Sequence, residues 1–234
     1  MKALEGRVGI VTGAGRGIGR AIAVALAGEG AHVVLAARTR REIEAAAAVI
    51  RGAGGSASAI ATDIGEPDQV EALAKTTLDR YGRADILVNN AGIGFLKPFS
   101  ELSLSEFDAM WQVNVRGVFL ATKAFLPAMI RENEGAIINI ASLAGKNSFK
   151  GGTGYSATKW ALRGFAGSLM LEVREHNIRV ITIFPGSVAT NFSSMGKQGP
   201  GILLPEDVAG AVVFAVTAPG RAMFSEIDLR PTRP

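Results

Sequence analysis

Gly13, Gly17 and Gly19 set the pattern of the segment Thr12-Gly13-Ala14-Gly15-Arg16-Gly17-Ile18-Gly19, between a run of apolar β-type residues, 7–11, and a helix-forming stretch, 20–29. No other juncture constrains the fold as tightly. Glycine permits positive φ and close approach of a ligand to the backbone, and the N–H groups that open a helix have no partner inside it and favour an anion. A buried strand, a glycine turn and a helix form the opening of a βαβ unit of the kind that holds a pyrophosphate. The spacing here, Gly-x-x-x-Gly-x-Gly, departs from the commoner Gly-x-Gly-x-x-Gly.

Short apolar runs continue to alternate with amphipathic helical stretches along the chain. The expected strands are 7–12, 32–36, 57–61, 86–89, 136–140, 179–184 and 222–227. Strands covered on both faces read as continuous apolar runs, and right-handed crossovers put helices on both sides of a parallel sheet. At 234 residues and 48% hydrophobic, the chain suits one large α/β domain, residues 1–234. Gly13, Asp63, Asn90, Ser142 and Pro185 each follow an expected strand. Five separated segments therefore converge on the carboxyl rim of the sheet, where ligands bind in such folds.

A second pattern carries chemistry. Tyr155 precedes Lys159 by four residues, and Ser142 lies upstream. Side chains at i and i+4 share a helix face, so the spacing predicts the Lys159 ammonium beneath the Tyr155 phenol. A fixed positive charge lowers a phenol's pKa from its usual value near ~10, and such a phenol serves as a general acid or base.

Composition removes other chemistries. The chain contains no cysteine and two distant histidines, His32 and His176, which excludes a disulfide framework, a thiolate metal site and a cysteine nucleophile. No apolar stretch is expected to approach the ~20 residues of a membrane span, and residues 1–7 form no signal peptide, so the expected location is the cytoplasm. Net charge is +4, and the basic residues are dispersed except for Arg38, Arg40 and Arg41, a pattern that does not suit nucleic acid.

Together these residues resemble the short-chain dehydrogenase/reductase family, in its classical subgroup, over almost the whole length. Residues 12–19 match its cofactor loop, Asn89-Asn90-Ala91-Gly92 the segment after the fourth strand, and Asn114 a helix-borne asparagine. Ser142, Tyr155 and Lys159 match its catalytic set, and Pro185-Gly186 with Thr190 its nicotinamide-side segment. The resemblance implies a single-domain, Rossmann-type doubly wound parallel sheet of about seven strands with helices on both faces. It implies an oxidoreductase moving a hydride between NADP and a carbonyl or alcohol carbon, with a ketone or 3-oxoacyl thioester as the expected substrate and no metal.

In that reading Tyr155 exchanges the proton, Ser142 hydrogen-bonds the substrate oxygen, Lys159 acidifies Tyr155 and holds the nicotinamide ribose, and Asn114 orients a water leading to Lys159. Residues expected to border the cofactor are Gly13, Arg16, Gly17, Ile18, Gly19, Arg38, Asp63, Ile64, Asn90, Ala91, Gly92, Tyr155, Lys159, Pro185, Gly186, Val188 and Thr190. The family's acidic position after the second strand aligns with Ala37, and Arg38 follows it, so NADPH is expected over NADH. Residues 190–204 are read as a substrate loop and 191–201 as a candidate lid. Gly94, Phe95, Leu96, Leu143, Phe149, Lys150, Phe192 and Met195 are expected on the substrate side, with Lys150 and Lys197 as attractants for an anionic group. The 190–205 stretch is shorter than the substrate lobe of many relatives, and the end of the chain lacks their glycine-rich tail. A homodimer or homotetramer is expected, paired through Phe119, Phe125, Trp160, Phe165 and Leu169.

Plainer roles stand beside these. Asn114 reads equally as a buried amide satisfying a broken helix turn, Ser142 as a cap, Tyr155 as a core residue, Arg38 as a solvent-facing charge and Asp63 as a helix-start aspartate. An NADP-dependent alcohol or hydroxy-acid dehydrogenase uses the same residues in the opposite direction. A non-catalytic NADP-binding regulator needs only the glycine loop.

Overall fold

Every residue of β1, Val8–Thr12, is buried, because the strand lies mid-sheet with helices above and below it. The computed structural model describes residues 2–190, 192 and 202–232. Through these the chain runs β1, α1 (Gly17–Gly28), β2 (His32–Ala37), α2 (Arg40–Gly52), β3 (Ser56–Ala61), α3 (Pro67–Tyr81) and β4 (Ile86–Asn89). It continues with α4 (Leu104–Trp111), α5 (Gly117–Glu132), β5 (Gly135–Ile140), α6 (Thr153–Val173), β6 (Ile178–Pro185), α7 (Pro205–Val216) and β7 (Glu226–Leu229).

The seven strands form one sheet in the order β3-β2-β1-β4-β5-β6-β7, with every pairing parallel. Order reverses between β1 and β4, which leaves a crevice at their carboxyl ends. Helices α1, α2 and α7 pack on one face through Ile22, Leu26, Ile43 and Val212. Helices α3, α5 and α6 pack on the other through Leu73, Phe125, Met129 and Leu169. At the opposite, amino end of the sheet, Asp85 accepts from Arg7, Arg83 and the Val8 backbone and so ties β1 to β4.

Three expectations change. The last strand begins at Glu226 rather than at residue 222, because the Phe224 ring turns back onto Phe214 of α7 at 4.6 Å and leaves the sheet to the residues that follow. Phe125 and Leu169 are buried in the protein's own core and cannot pair across a two-fold axis, whereas Phe119 (48% exposed) and Trp160 (44%) remain accessible. The helical run Leu104–Glu132 is long and apolar enough to cross a membrane by length and composition, contrary to expectation. It lies against the sheet through buried Val118, Ala121, Phe125 and Met129, which is the placement of a core helix.

Candidate active site

The rim at the β1–β4 crevice opens into a cleft of about 520 Å3. The glycine turn forms its floor. Gly13 and Gly17 adopt φ of 65° and 52°, values that L side chains rarely tolerate. A Cβ on Gly13 would stand 2.9 Å from the Ala91 backbone, and one on Gly19 would collide with Asn90 Nδ2 and the Gly13 carbonyl. Asn90 holds this turn in place by donating from Nδ2 to the Thr12 carbonyl at 2.9 Å, while its N–H donates to Thr12 Oγ1 at 3.0 Å. Thus Asn90, expected to border the cofactor, also shapes the loop beneath it.

Helix α1 begins at this turn with no side-chain cap and no acidic residue in its first turn. Gly17, Ile18 and Gly19, which open the helix, line the cleft, and the N–H groups of a helix start suit a diphosphate. Arg16 and Arg38 border the same end, and neither forms an ion pair among the described residues. The residues present therefore fit a phosphate-bearing dinucleotide. Every residue expected to border the cofactor, from Gly13 to Thr190, lines the cleft.

Glu42, which sequence reasoning missed, lines the cleft too, and its side chain would lie 2.9 Å from a Cβ on Gly15. Its position in the first turn of α2, directly after β2, was the available signal, since that turn must start on the same rim. Asp63 also lines the cleft, and its Oδ1 accepts from Gly65 N–H at 3.0 Å in the turn before α3, whose cap position is held by Glu66.

At the other end of the cleft stand Ser142, Tyr155 and Lys159. Ser142 follows β5 and caps the 3-10 turn Leu143–Gly145, accepting from Ala144 N–H at 3.1 Å. Tyr155 and Lys159 lie in the first turns of α6, 9% and 4% exposed. Lys159 Nζ is 5.7 Å from the centre of the phenol ring and donates to the Ile140 carbonyl at 3.0 Å. In this structure burial, rather than the charge of Lys159, dominates the phenol. Burial pushes Tyr155 up to about 12, and the hydrogen bond with Ser142 offsets only part of the rise. Burial also brings Lys159 down to about 8. Desolvation outweighs mutual charge here because both groups are enclosed while the ammonium is turned onto a carbonyl.

Asn114 is 1% exposed and sits in a π turn, Gln112–Arg116, between α4 and α5. Its Oδ1 accepts from Ile93 N–H at 2.9 Å, and its Nδ2 donates to the Ile93 carbonyl at 2.9 Å and to Thr158 Oγ1 at 3.0 Å. The amide is fully used by the fold. It nonetheless neighbours Lys159, since a Cβ on Gly92 would lie 3.3 Å from Asn114 Oδ1 and 3.7 Å from Lys159 Nζ.

On the substrate side, the Phe192 ring tilts over Tyr155 with centroids 5.7 Å apart, and Phe95 packs beside Met110 and Tyr155. Leu143 reaches Gly186, while Phe149 and Lys150 are exposed. The proposed lid, with Met195 and Lys197, lies outside the described residues, apart from Phe192. No group of three or more metal-ligating side chains occurs among the described residues.

A doubly wound sheet whose switch-point cleft joins an anion-binding glycine turn to a Ser–Tyr–Lys cluster defines the class of dinucleotide-dependent oxidoreductases. A family model, short chain dehydrogenase, matches residues 7–199. The chain is 38% identical to a 3-oxoacyl-[acyl-carrier-protein] reductase of Synechocystis sp. over 96% of its own length and 95% of that protein. Among solved structures it is similar to a metagenomic short-chain oxidoreductase in complex with NADP, at 40% identity and TM-score 0.88 over 98% and 99% of the two chains. It is also similar to an alcohol dehydrogenase from the archaeon Thermococcus sibiricus complexed with 5-hydroxy-NADP, at 34% identity and TM-score 0.91 over 97% and 98%. The chain belongs to the short-chain dehydrogenase family, and within it is an oxidoreductase that uses a nicotinamide cofactor.

Proposed function

We propose that the protein is an NADPH-dependent reductase of ketones, with 3-oxoacyl thioesters as the leading substrate class. The observation that carries this reading is that half-buried Ser142 and buried Tyr155 and Lys159 all line the cleft that the glycine turn also lines. The nicotinamide, when bound, supplies the hydride. Tyr155 donates its phenolic proton to the carbonyl oxygen, and Ser142 hydrogen-bonds that oxygen as charge develops on it. Lys159 stabilises the resulting phenolate, and Asn114 holds the segment at Ile93 beside Lys159, where a water can return the proton. The kinship with a 3-oxoacyl reductase supports the substrate class, and apolar Phe95, Leu143 and Phe192 suit an acyl chain.

The opposite direction, oxidation of a secondary alcohol, is favoured by the archaeal relative's description as an alcohol dehydrogenase. The same three side chains serve either direction, and the kinship with a 3-oxoacyl reductase, which extends over 96% of the chain, supports reduction. Preference for NADPH rests on Arg16 and Arg38, two guanidiniums that line the cleft together with the carboxylates of Glu42 and Asp63, and on Ala37 standing where an acidic residue would repel a 2′-phosphate. Assembly as a homodimer or homotetramer in the cytoplasm is part of the same reading. Exposed Phe119 borders a groove with Phe165 and Trp111, whose buried indole N–H has no hydrogen-bond partner among the described residues.

The test is NADPH consumption over a panel containing a short 3-oxoacyl thioester, a β-keto ester, a diketone and an aldehyde. Tyr155→Phe should lose turnover by roughly 100-fold or more while still binding NADPH. Turnover surviving in that variant removes Tyr155 from the mechanism. Ala37→Asp with Arg38→Leu should move preference toward NADH by about tenfold or more. An unchanged ratio of the two cofactors' binding constants removes Arg38 from the explanation.

A further inference from the structure

The short strand β7 is bonded both to Lys146, just after the Ser142 turn, and to Arg163 of α6, the helix that carries Tyr155. Lys146 follows the turn that Ser142 caps, and its N–H donates to the Leu143 carbonyl at 2.9 Å. Lys146 Nζ donates to Asp228 Oδ1 of β7 at 2.6 Å and stands 2.8 Å from Glu226 Oε2 of the same strand. The ammonium also sits 4.2 Å from the centre of the Phe184 ring in β6. Glu226 is shared, because Arg163 donates to its Oε1 at 2.7 Å. Arg163 lies one turn beyond Lys159 on α6.

The loop closes through the backbone. A Cβ on Gly145 would stand 2.7 Å from the Lys159 carbonyl, so the Ser142 turn lies directly against α6 at that residue. The Leu229 carbonyl of β7 accepts from Gly186 N–H at 2.8 Å and anchors the segment expected beside the nicotinamide. Partly exposed ion pairs contribute little stability one by one. A network joining three elements instead fixes a geometry, and reacting groups displaced by an ångström lose much of their rate.

We propose that Lys146, clasped by Glu226 and Asp228, is a positioning residue that holds Ser142 in register with Tyr155. This rests on the reading of Ser142 and Tyr155 as the groups that meet the substrate oxygen. Lys146 itself touches no reacting atom, so its effect is expected to pass through Ser142.

The decisive experiment is a double-mutant cycle on the full-length protein, measuring kcat and KM for the best carbonyl of the panel, NADPH affinity and Tm. Lys146→Met should lower kcat by about tenfold, leave NADPH affinity within about twofold, and lose no further activity when combined with Ser142→Ala. Lys146→Arg should recover most of the loss. Asp228→Asn, which keeps Lys146 but removes one of its partners, should show the same pattern at smaller amplitude, and it serves as the probe if Lys146→Met folds poorly. An equal loss from Lys146→Met in the Ser142 and Ser142→Ala backgrounds overturns the inference, as does an unchanged kcat. A Ser142→Ala variant with wild-type kcat instead overturns the underlying assignment of Ser142.

Discussion

At the scale of single residues, burial governs the candidate site more than charge pairing does. Lys159 comes down from 10.5 to about 8, so between those pH values the unfolded chain keeps a proton that the folded protein has released. Stability therefore rises with pH across that interval. Tyr155 acts in the opposite sense. Its phenol goes from 10.0 up to about 12, so the stability it contributes is complete below pH 10 and is lost as pH climbs through 12. Lys159→Met should remove the rise above pH 8 and make the protein more stable at pH 7 by about 2–3 kcal/mol, while abolishing turnover. Urea midpoints at pH 7 and pH 10 provide the check, and a variant less stable than the parent at pH 7 would contradict it. The helical spacing of Tyr155 and Lys159 was legible in the sequence. The direction of the phenol's shift was not, because it depends on how completely the surrounding elements enclose the ring.

At the scale of elements, the glycine turn and the crossings of the sheet were readable because they follow local rules. An apolar run bounded by Gly13 needs only the preference of buried strands and the freedom of glycine. The Gly19→Ala variant tests the turn most sharply, since its methyl meets Asn90 and the Gly13 carbonyl. We expect NADPH affinity to fall by about tenfold or more with the far-ultraviolet spectrum retained. Undiminished affinity measured by calorimetry would show that the turn does not carry the diphosphate. The π turn at Asn114 was only partly legible, since nothing in Val113-Asn114-Val115 marks an inserted residue, although a buried amide in a broken helix turn was a reading the residues allowed. The last strand was misplaced because the apolar pair Met223-Phe224 reads as strand, while Phe224 packs with Phe214. Glu42 was overlooked for a related reason, since its approach to Gly15 arises from where α2 meets the rim.

At the scale of the whole molecule, the surface left by the fold argues for self-association. Phe119 and Trp160 stay exposed on α5 and α6 after the core has claimed Phe125 and Leu169. Light scattering across working concentrations should give at least twice the mass of one chain, and a monomeric mass throughout would refute the homo-oligomer. Which exposed residues face solvent or a partner was not legible, because strong and weak burial occur at neighbouring positions of the same helices.

The sheet order also bears on how the protein is born. β1 lies between β2 and β4, and Val8 is joined to Asp85 across 77 positions of sequence. Synthesis delivers the N-terminal strands first, and contacts between distant segments form slowly. Until β4 has left the ribosome, one edge of β1 is an unpaired apolar template of the kind that invites aggregation. The dinucleotide cannot relieve that hazard, because the cleft includes Pro185 and Thr190 and exists only after β6 has emerged. Added cofactor is therefore expected to protect the finished protein without assisting the nascent one.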